Sequence, residues 1–301
     1  MSNHRRGLVR AMPWVFVLIW STGFVVARFG MPHSPPLTFL SMRYALSLLC
    51  FGAWIALARV EWPSERGQWA HLAVVGVLIH AGYLGGVWSA VKAGIGAGTV
   101  ALLVGLQPVL TALWMTLSNR NEDSAASGRA RVSAQQWLGL VLGLAGLTLV
   151  VWHKLGGGEV THWNLALAVF ALLSITTGTL YQKRFVAPCD VRTASAIQLF
   201  AALVVSLPLA LLETEPVVWH AQMIGAMAWS VLALTLGGSS LLYLLIQRGA
   251  ATEVTSLMYL VPPCTAAMAW LLFGESFTLS MLVGMVLTVT GVALVVRAPS
   301  R

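Results

Sequence analysis

The sequence predicts an all-α integral membrane protein whose ten transmembrane helices form two inverted five-helix repeats. Three observations predict this fold: an apolar composition, ten apolar runs of spanning length, and an internal offset that aligns the two halves. Of the 301 residues, 58% are hydrophobic and only 9% are charged. A water-soluble domain carries roughly a quarter of its residues as charged side chains. We therefore expect the bilayer to be the solvent of this chain.

The apolar runs define the predicted spans. A helix needs about 20 apolar residues to cross the hydrocarbon, where it satisfies its own backbone hydrogen bonds. The ten runs lie near residues 13–29, 37–58, 69–91, 95–117, 136–152, 163–182, 194–212, 223–246, 254–273 and 277–296. The first run follows basic residues, as in a signal peptide, but no small-residue cleavage site precedes Arg28. We predict an uncleaved first span.

The basic residues predict the orientation, because Lys and Arg near span ends stay on the cytoplasmic side. With the N-terminus inside, 14 of the 18 basic residues fall on that side. They are Arg5, Arg6, Arg10, Arg59, Arg66, Arg120, Arg129, Arg131, Lys183, Arg184, Arg192, Arg248, Arg297 and Arg301. Only Arg28, Lys92 and Lys154 fall outside, and Arg43 lies within a span. We expect both termini in the cytoplasm.

An internal repeat aligns the first half of the chain with the second. An offset of 155 positions relates four residue pairs, and after a polar insertion at residues 118–133 an offset of 145 relates two more. The pairs are Gly23 and Gly178, Thr38 and Thr193, Gly94 and Gly249, Pro108 and Pro263, then Gly139 and Gly284, Gly146 and Gly291. We place the repeats at residues 13–152 and 163–296.

Each repeat holds five spans, an odd number, so the second copy must be inverted in the membrane. Many secondary transporters have this architecture, with the substrate site near the midplane between the repeats. The repeat therefore favours transport by alternating access. A duplicated helical scaffold without transport is the alternative.

Other classes of function lack the residues they need. The net charge of +8 comes from basic residues scattered between apolar runs, with no basic face for nucleic acid. Cys50, Cys189 and Cys264 lack the spacing of a metal site, so we expect neither a metal nor another cofactor. No hydrolase or metalloprotease motif and no carboxylate pair within one span occurs, so an enzyme is not expected.

Two stretches resemble a known transporter family. Residues 249–275, GAATEVTSLMYLVPPCTAAMAWLLFGE, are followed by LVGMVLTVTG at residues 282–291. With WSTGF at residues 20–24 and Arg43 in the second span, they resemble the EamA branch of the drug/metabolite transporter superfamily. The first half ends in LSNR at residues 117–120, where that family often has a Gly-Glu pair, which argues against a symmetric role for Glu275.

The resemblance implies export or exchange of small organic metabolites, such as amino acids, through a bacterial inner membrane. A lipid or carrier-lipid flippase of related fold and a non-transporting membrane subunit are the alternatives. The expected partners are a small-molecule substrate and the lipid bilayer. A homodimer stays open, as do the substrate's identity and the direction of transport.

Matching prolines are candidate markers of a cavity. Pro108 and Pro263 lie within spans at equivalent places in the two repeats. A proline there leaves a carbonyl unpaired, which packed protein or a wet cavity must satisfy. A simple structural kink is the alternative. Gln107 beside Pro108 is a candidate ligand contact.

Aromatic residues predict the walls of the substrate cavity. Trp88 and Tyr243 occupy equivalent positions, 155 residues apart. Aromatic side chains with a polar tip suit amphipathic or aromatic substrates. The other predicted lining residues are Trp20, Tyr83, Tyr181 and Tyr259. Five further tryptophans are assigned to the interfacial belt or the loops, namely Trp62, Trp69, Trp137, Trp163 and Trp219.

Arg43 and His80 are the candidates for a charge or proton role. Arg43 lies about 9 Å into the second span. It is expected to bind a substrate carboxylate, to extend to the outer headgroups, or to bond to a neighbouring helix. His80 is the only titratable candidate in the middle of a span, since none of the ten Asp and Glu residues lies there. A neutral packing role for His80 and uncoupled diffusion or exchange are expected.

Overall fold

A computed structural model describes residues 3–111, 113–114, 134–156, 158–238, 240–241, 258–275 and 278–297. Within these ranges, the side chains at 3–11, 153, 156, 259 and 295–297 are outside the description. The described residues form helices joined by turns and loops, with no strand among them. The helices are α1 (Asn3–Gly30), α2 (Pro36–Ala58), α3 (Arg66–Lys92), α4 (Ala97–Thr111), α5 (Ala134–Gly156), α6 (His162–Phe185), α7 (Val191–Ala210), α8 (Ala221–Gly237), α9 (Val261–Phe273) and α10 (Leu279–Arg297).

Each predicted span overlaps one of these helices. Six helices, namely α1, α2, α3, α5, α6 and α7, are long and apolar enough to cross a membrane. The other four, α4, α8, α9 and α10, contain shorter apolar stretches in the described part of the chain. The chain is therefore a multi-pass membrane protein.

Local sequence explains several helix ends. Thr161 and Asn164 form a reciprocal capping box at the start of α6. The Asp190 carboxylate accepts from the backbone N–H of Arg192 at the start of α7. The Arg192 side chain donates to the same carboxylate and lowers the pKa of Asp190. Gly274 ends α9 with φ +64, a left-handed conformation that glycine adopts without strain.

The third and eighth helices share an unusual feature. Val77–Leu84 in α3 and Ser230–Gly237 in α8 are π-helical. Such segments are rare and frequently mark functional sites. Their start positions differ by 153 residues, close to the offset of the repeat. The two π segments therefore lie in corresponding helices of the two halves.

Helix contacts follow the same two-fold pattern. Helix α2 packs on α7, and α5 packs on α10. Helix α3 packs on α6 and α7, as α8 packs on α1 and α2. Each partner stands five helices after its equivalent, so a fold of two five-helix repeats fits the structure.

Individual glycine contacts obey the offsets as well. Gly23 lies against Leu234, and Gly178 lies against Ile79. Gly178 lies 155 positions after Gly23, and Leu234 lies 155 positions after Ile79, so the two contacts are equivalent. Gly146 meets Gly284, and Gly139 meets Gly291, which are equivalent contacts at the offset of 145. A Cβ at Gly146 or Gly291 would collide with the facing backbone, so these helices approach closely because the residues are glycines.

The helix bundle has two ends, a distal end and a proximal end, which hold different loops. The distal end, opposite the N-terminus, holds residues 31–35, 93–96, 158–161, 211–220 and 274–275. The proximal end holds the N-terminus with residues 59–65 and 186–190. A hydrogen bond from Val218 N–H to the His33 carbonyl (2.8 Å) joins two distal segments.

Candidate functional site

Arg43 lies inside the bundle, between the two halves of the chain. Its side chain is only 7% exposed. Its Nε and Nη2 atoms donate to the Thr235 hydroxyl of α8 at 3.2 and 3.1 Å. Its guanidinium lies 5.6 Å from the centre of the Trp88 ring of α3, a cation–π contact. The guanidinium therefore points into the protein and bonds to a neighbouring helix, and it does not extend to the headgroups.

The Arg43 and Trp88 side chains each retain an unpaired donor. In the described part of the chain, Arg43 Nη1 and Trp88 Nε1 are buried without a hydrogen-bond partner. The hydroxyls of Ser41, Ser47 and Ser230 are also buried without partners there. Buried polar groups usually have a partner, so such a concentration requires an explanation. Two side chains in contact with each other therefore each keep a donor that no described group binds.

A second polar pair relates to the first by the repeat offset. The side chain of His80 on α3 interacts with that of Gln198 on α7. Gln198 is 155 positions after Arg43, and Thr235 is 155 positions after His80. The Arg43–Thr235 and Gln198–His80 pairs are therefore equivalent, and both cross between the halves. The sequence prediction missed Thr235 and Gln198, although the offset applied to Arg43 and His80 identifies both.

Tyr44 connects this region to α3. Its hydroxyl donates to the His80 carbonyl (2.8 Å), and its ring meets the His80 imidazole edge-on. Thr235 in turn donates to the Ser230 carbonyl (2.9 Å), five residues earlier in the π segment. The hydroxyl that accepts from Arg43 is thus held in place by the π-helical backbone.

The structure brings together only some of the predicted aromatic residues. Trp88 and Tyr83 are both buried in α3. Trp20 is partly buried and packs on Phe16 of its own helix. Tyr243 lies outside the described residues, and so does the side chain of Tyr259.

Tyr181 lies away from Arg43. It occupies the last turns of α6, with its hydroxyl 2.9 Å from Nδ1 of His71 and its ring against Phe185. His71 lies near the start of α3, so this aromatic group belongs to the proximal end. The prediction placed Tyr181 in the same cavity as Trp88, but no described contact joins it to Arg43 or Trp88.

The proline positions coincide with helix interruptions. Helix α4 turns at residues 105–106, just before Pro108. A 3-10 turn, Met258–Leu260, precedes Pro262 and Pro263 at the start of α9. Gly105 lies against the ring of Pro262, so the two interruptions meet. The Gln107 amide donates to Thr179 of α6 (3.0 Å), which ties α4 to the neighbouring helix.

Glutamates from the second half bind helices of the first half at the distal end. The Glu213 carboxylate accepts from the backbone N–H groups of Leu37 (3.0 Å) and Thr38 (2.7 Å) at the start of α2. The Glu275 carboxylate accepts from the N–H of Ala97 (3.0 Å) at the start of α4. A carboxylate at a helix N-terminus satisfies unpaired N–H groups and complements the helix dipole.

Further distal contacts also cross between the halves. Lys92 forms an ion pair with Glu215 at 2.6 Å. His33 Nε2 is 3.0 Å from the Gln222 amide oxygen, and its ring stacks on His220. Together with the glutamate caps, these contacts join the two halves at the distal end.

Glu159, in the segment between the halves, binds the same helix start as Glu275. Its carboxylate accepts from Gly96 N–H (3.0 Å) and from the buried Lys154 ammonium (2.7 Å). Lys154 also donates to the Thr99 hydroxyl (2.7 Å). The beginning of α4 is therefore held by two carboxylates.

Comparisons with known proteins point to one family. The model of the EamA-like transporter family matches residues 12–152 and 162–297. The "Uncharacterized transporter YvbV" of Bacillus subtilis is 26% identical over 285 residues, covering 93% of this chain and 88% of that protein. The "Probable amino-acid metabolite efflux pump" of Salmonella typhimurium is 25% identical, covering 91% of this chain and 90% of its own length.

Two further comparisons concern location and fold. The "Uncharacterized inner membrane transporter YedA" of Escherichia coli K12 is 25% identical over 252 residues, covering 84% of this chain and 74% of that protein. A solved crystal structure superposes with a TM-score of 0.63 at 17% identity, covering 94% of this chain and 95% of the other. At that identity, the superposition concerns the fold alone.

Proposed function

Because the chain belongs to the EamA-like transporter family, we propose that it carries small organic metabolites across the bacterial inner membrane by alternating access. Members of this family are transporters and not enzymes. Export or exchange is the proposed mode, since two relatives bear the name "Probable amino-acid metabolite efflux pump". Amino acids and the metabolites derived from them are the first substrates to test.

One observation carries the location of the site: buried donors without partners lie between the two halves of the chain. Arg43 Nη1 and Trp88 Nε1 belong to side chains in contact with each other. Inverted-repeat transporters bind their substrates at such a boundary. We assign substrate contact to Arg43 and Trp88, with Thr235 positioning the guanidinium and Tyr83 beside them in α3.

The remaining predicted lining residues are proposed to border the cavity, and the donors to the substrate are Arg43 and Trp88. Gln107 and the prolines Pro108 and Pro263 mark the interrupted helices α4 and α9 that border the boundary between the halves. Trp20, Tyr243 and Tyr259 stay candidate wall residues. Tyr181 is assigned to the proximal entrance.

The distal contacts support a mechanism. Glu213, Glu275 and Lys92 join the two halves at that end. If the substrate leaves distally, these contacts must break, while the close glycine packing of α5 on α10 can stay intact. We propose that the structure corresponds to the distally closed state of the cycle. Binding from the proximal side and release after the distal contacts separate would complete one turnover.

We propose ten spans, with the repeats at residues 13–152 and 163–296 inverted relative to each other. The paired contacts of α2 with α7 and of α5 with α10 support the repeat. The excess of basic residues on one side supports cytoplasmic termini, which would put the distal end in the periplasm.

A lipid flippase is the second candidate function, and one groove favours it. The groove has a volume of about 340 Å³ and lies between α1 and α8. Its walls include Val25 and Phe29 on one side and Gly225 and Trp229 on the other. An apolar groove on the outside of a bundle is suited to an acyl chain.

The test separates these functions in one preparation. Purified protein is reconstituted in proteoliposomes loaded with the low-molecular-mass fraction of a bacterial extract, and released compounds are identified by mass spectrometry. The proposal predicts release of a defined set of metabolites above protein-free liposomes. Movement of fluorescent phospholipid between leaflets with no metabolite release would support the flippase instead. If the preparation shows neither metabolite release nor lipid movement, both proposals are contradicted.

A further inference from the structure

The charge of Arg43 has no counter-ion in the described structure. The described carboxylates bind elsewhere: Glu213 and Glu275 cap helices at the distal end, and Glu159 pairs with Lys154. The titratable side chains near Arg43 include the phenols of Tyr44 and Tyr83. Phenols are neutral at pH 7. The guanidinium is therefore buried with neutral neighbours.

The neutral contacts do not balance this charge. Thr235 accepts from Arg43 through its oxygen, while its own hydrogen goes to the Ser230 carbonyl. The Trp88 ring offers a cation–π contact, which is weaker than a carboxylate partner. A buried charge is costly unless it is paired. Arg43 Nη1 remains the atom at which an anion would complete the site.

The apolar side chains near Arg43 indicate which kind of ligand body would fit beside a bound carboxylate. Trp88 packs on Phe39, with ring centres 6.4 Å apart, and Tyr83 is buried in the same helix. These side chains would contact an aromatic or branched aliphatic body. No carboxylate in the described site is placed to bind an ammonium group, because the described Asp and Glu residues lie at helix ends or in loops.

We infer that this site selects organic monocarboxylates without an ammonium group over amino acids and amines, with Arg43 Nη1 and Trp88 Nε1 binding the carboxylate. This inference rests on the proposed transport function and narrows its substrate class. A carboxylate fits because a hydrogen bond from the charged Nη1 to a carboxylate oxygen is short and about twice as strong as one between neutral groups. Within the products of amino-acid metabolism, the acids that have lost nitrogen are the matching compounds.

The experiment compares ligands that share one apolar body and differ in charge. The purified full-length protein in detergent is heated with phenylacetate, phenylalanine, phenethylamine or phenylacetamide, and with the indole and branched aliphatic equivalents. At concentrations above the dissociation constant, carboxylates should raise the unfolding midpoint by roughly 2–4 °C. The zwitterions, amines and amides should give no shift.

Variants assign the effect to the named atoms. Arg43→Gln should abolish the shift, and Trp88→Phe, which keeps a ring but removes Nε1, should weaken carboxylate binding about ten-fold. Arg43→Lys keeps the charge and should bind carboxylates more weakly but detectably. This variant is the control for loss of binding through misfolding in Arg43→Gln. Arg66→Gln removes a positive charge from the exposed start of α3 and should leave the shift unchanged.

The outcomes separate the inference from the proposed function. Equal stabilisation by the amino acids, or carboxylate shifts that survive Arg43→Gln, would overturn the inference and leave transport intact. A series in which no carboxylate stabilises the protein would overturn it too. Failure of the proteoliposomes to release any metabolite contradicts transport itself, whatever the binding data show.

Discussion

The guanidinium of Arg43 donates two hydrogen bonds to the hydroxyl of Thr235, across 192 residues of sequence and between the two halves of the chain. The equivalent positions, Gln198 and His80, form the corresponding pair on the other side. The same duplication has therefore placed an arginine on one side and a glutamine at the equivalent position on the other. The difference gives the site a positive charge on one side.

Replacing Thr235 with Val should impair transport, because the variant removes the acceptor of two Arg43 donors while keeping the volume of the side chain. A buried donor that loses its acceptor costs about 1–3 kcal/mol. We expect exchange to fall about ten-fold or more, measured as initial rates in proteoliposomes. Thr290→Val, on the exposed face of α10, is the matched control. Normal exchange in Thr235→Val would show that the pair does not position Arg43.

Removing the Glu213 carboxylate should weaken closure of the distal end. In Glu213→Ala, two N–H groups of α2 lose their acceptor, at a cost of about 1 kcal/mol or more. Cysteines introduced near residue 96 should then react faster with a membrane-impermeant maleimide added from outside. Glu61→Ala, in an exposed proximal loop, is the control. Equal labelling rates in both variants would argue against a distal gate.

Transport is expected to follow the substrate gradient without a proton. None of the ten Asp and Glu residues lies in the middle of a predicted span, and the His80 side chain interacts with Gln198 of a neighbouring helix. With equal substrate on both sides, an imposed pH gradient should therefore cause no accumulation in proteoliposomes. Accumulation that is lost in His80→Gln would instead identify His80 as a proton carrier.

Both termini are expected to be cytoplasmic. A reporter active only in the cytoplasm should give a signal when it is fused after Arg301, and a periplasmic reporter should give one in the loop at residues 156–158. The basis is the distribution of basic residues along the chain. A periplasmic signal from the fusion after Arg301 would contradict the predicted ten-span topology.

The helices were predictable from sequence because length and hydropathy are local properties. The runs that predict α2 and α6 coincide closely with Pro36–Ala58 and His162–Phe185. The interruption of α4 was harder to predict, since its apolar run continues through the turn at residues 105–106 beside Pro108. Hydropathy does not register such an interruption.

The site was only partly predictable. Trp88 and Arg43 stood out by residue type and depth, but the contact of Arg43 with Thr235 depends on the π segment of α8, which changes the direction of its side chains. Threonine in an apolar helix carries no signal by itself. The contacts of Tyr181 with His71 and Phe185 were not predictable either, because an aromatic residue at a helix end looks the same in sequence as one at the midplane.

The most direct measurement of alternating access is transport with the distal end locked. The backbones of His33 and Val218 are joined by a hydrogen bond there, so cysteines at these two positions can be tested for a reversible disulfide. The background carries Ser at Cys50, Cys189 and Cys264, and each single cysteine variant is the oxidant control. Alternating access predicts that oxidation of His33→Cys/Val218→Cys stops metabolite exchange in proteoliposomes and that reductant restores it. Exchange at the full rate with the disulfide formed would contradict the account.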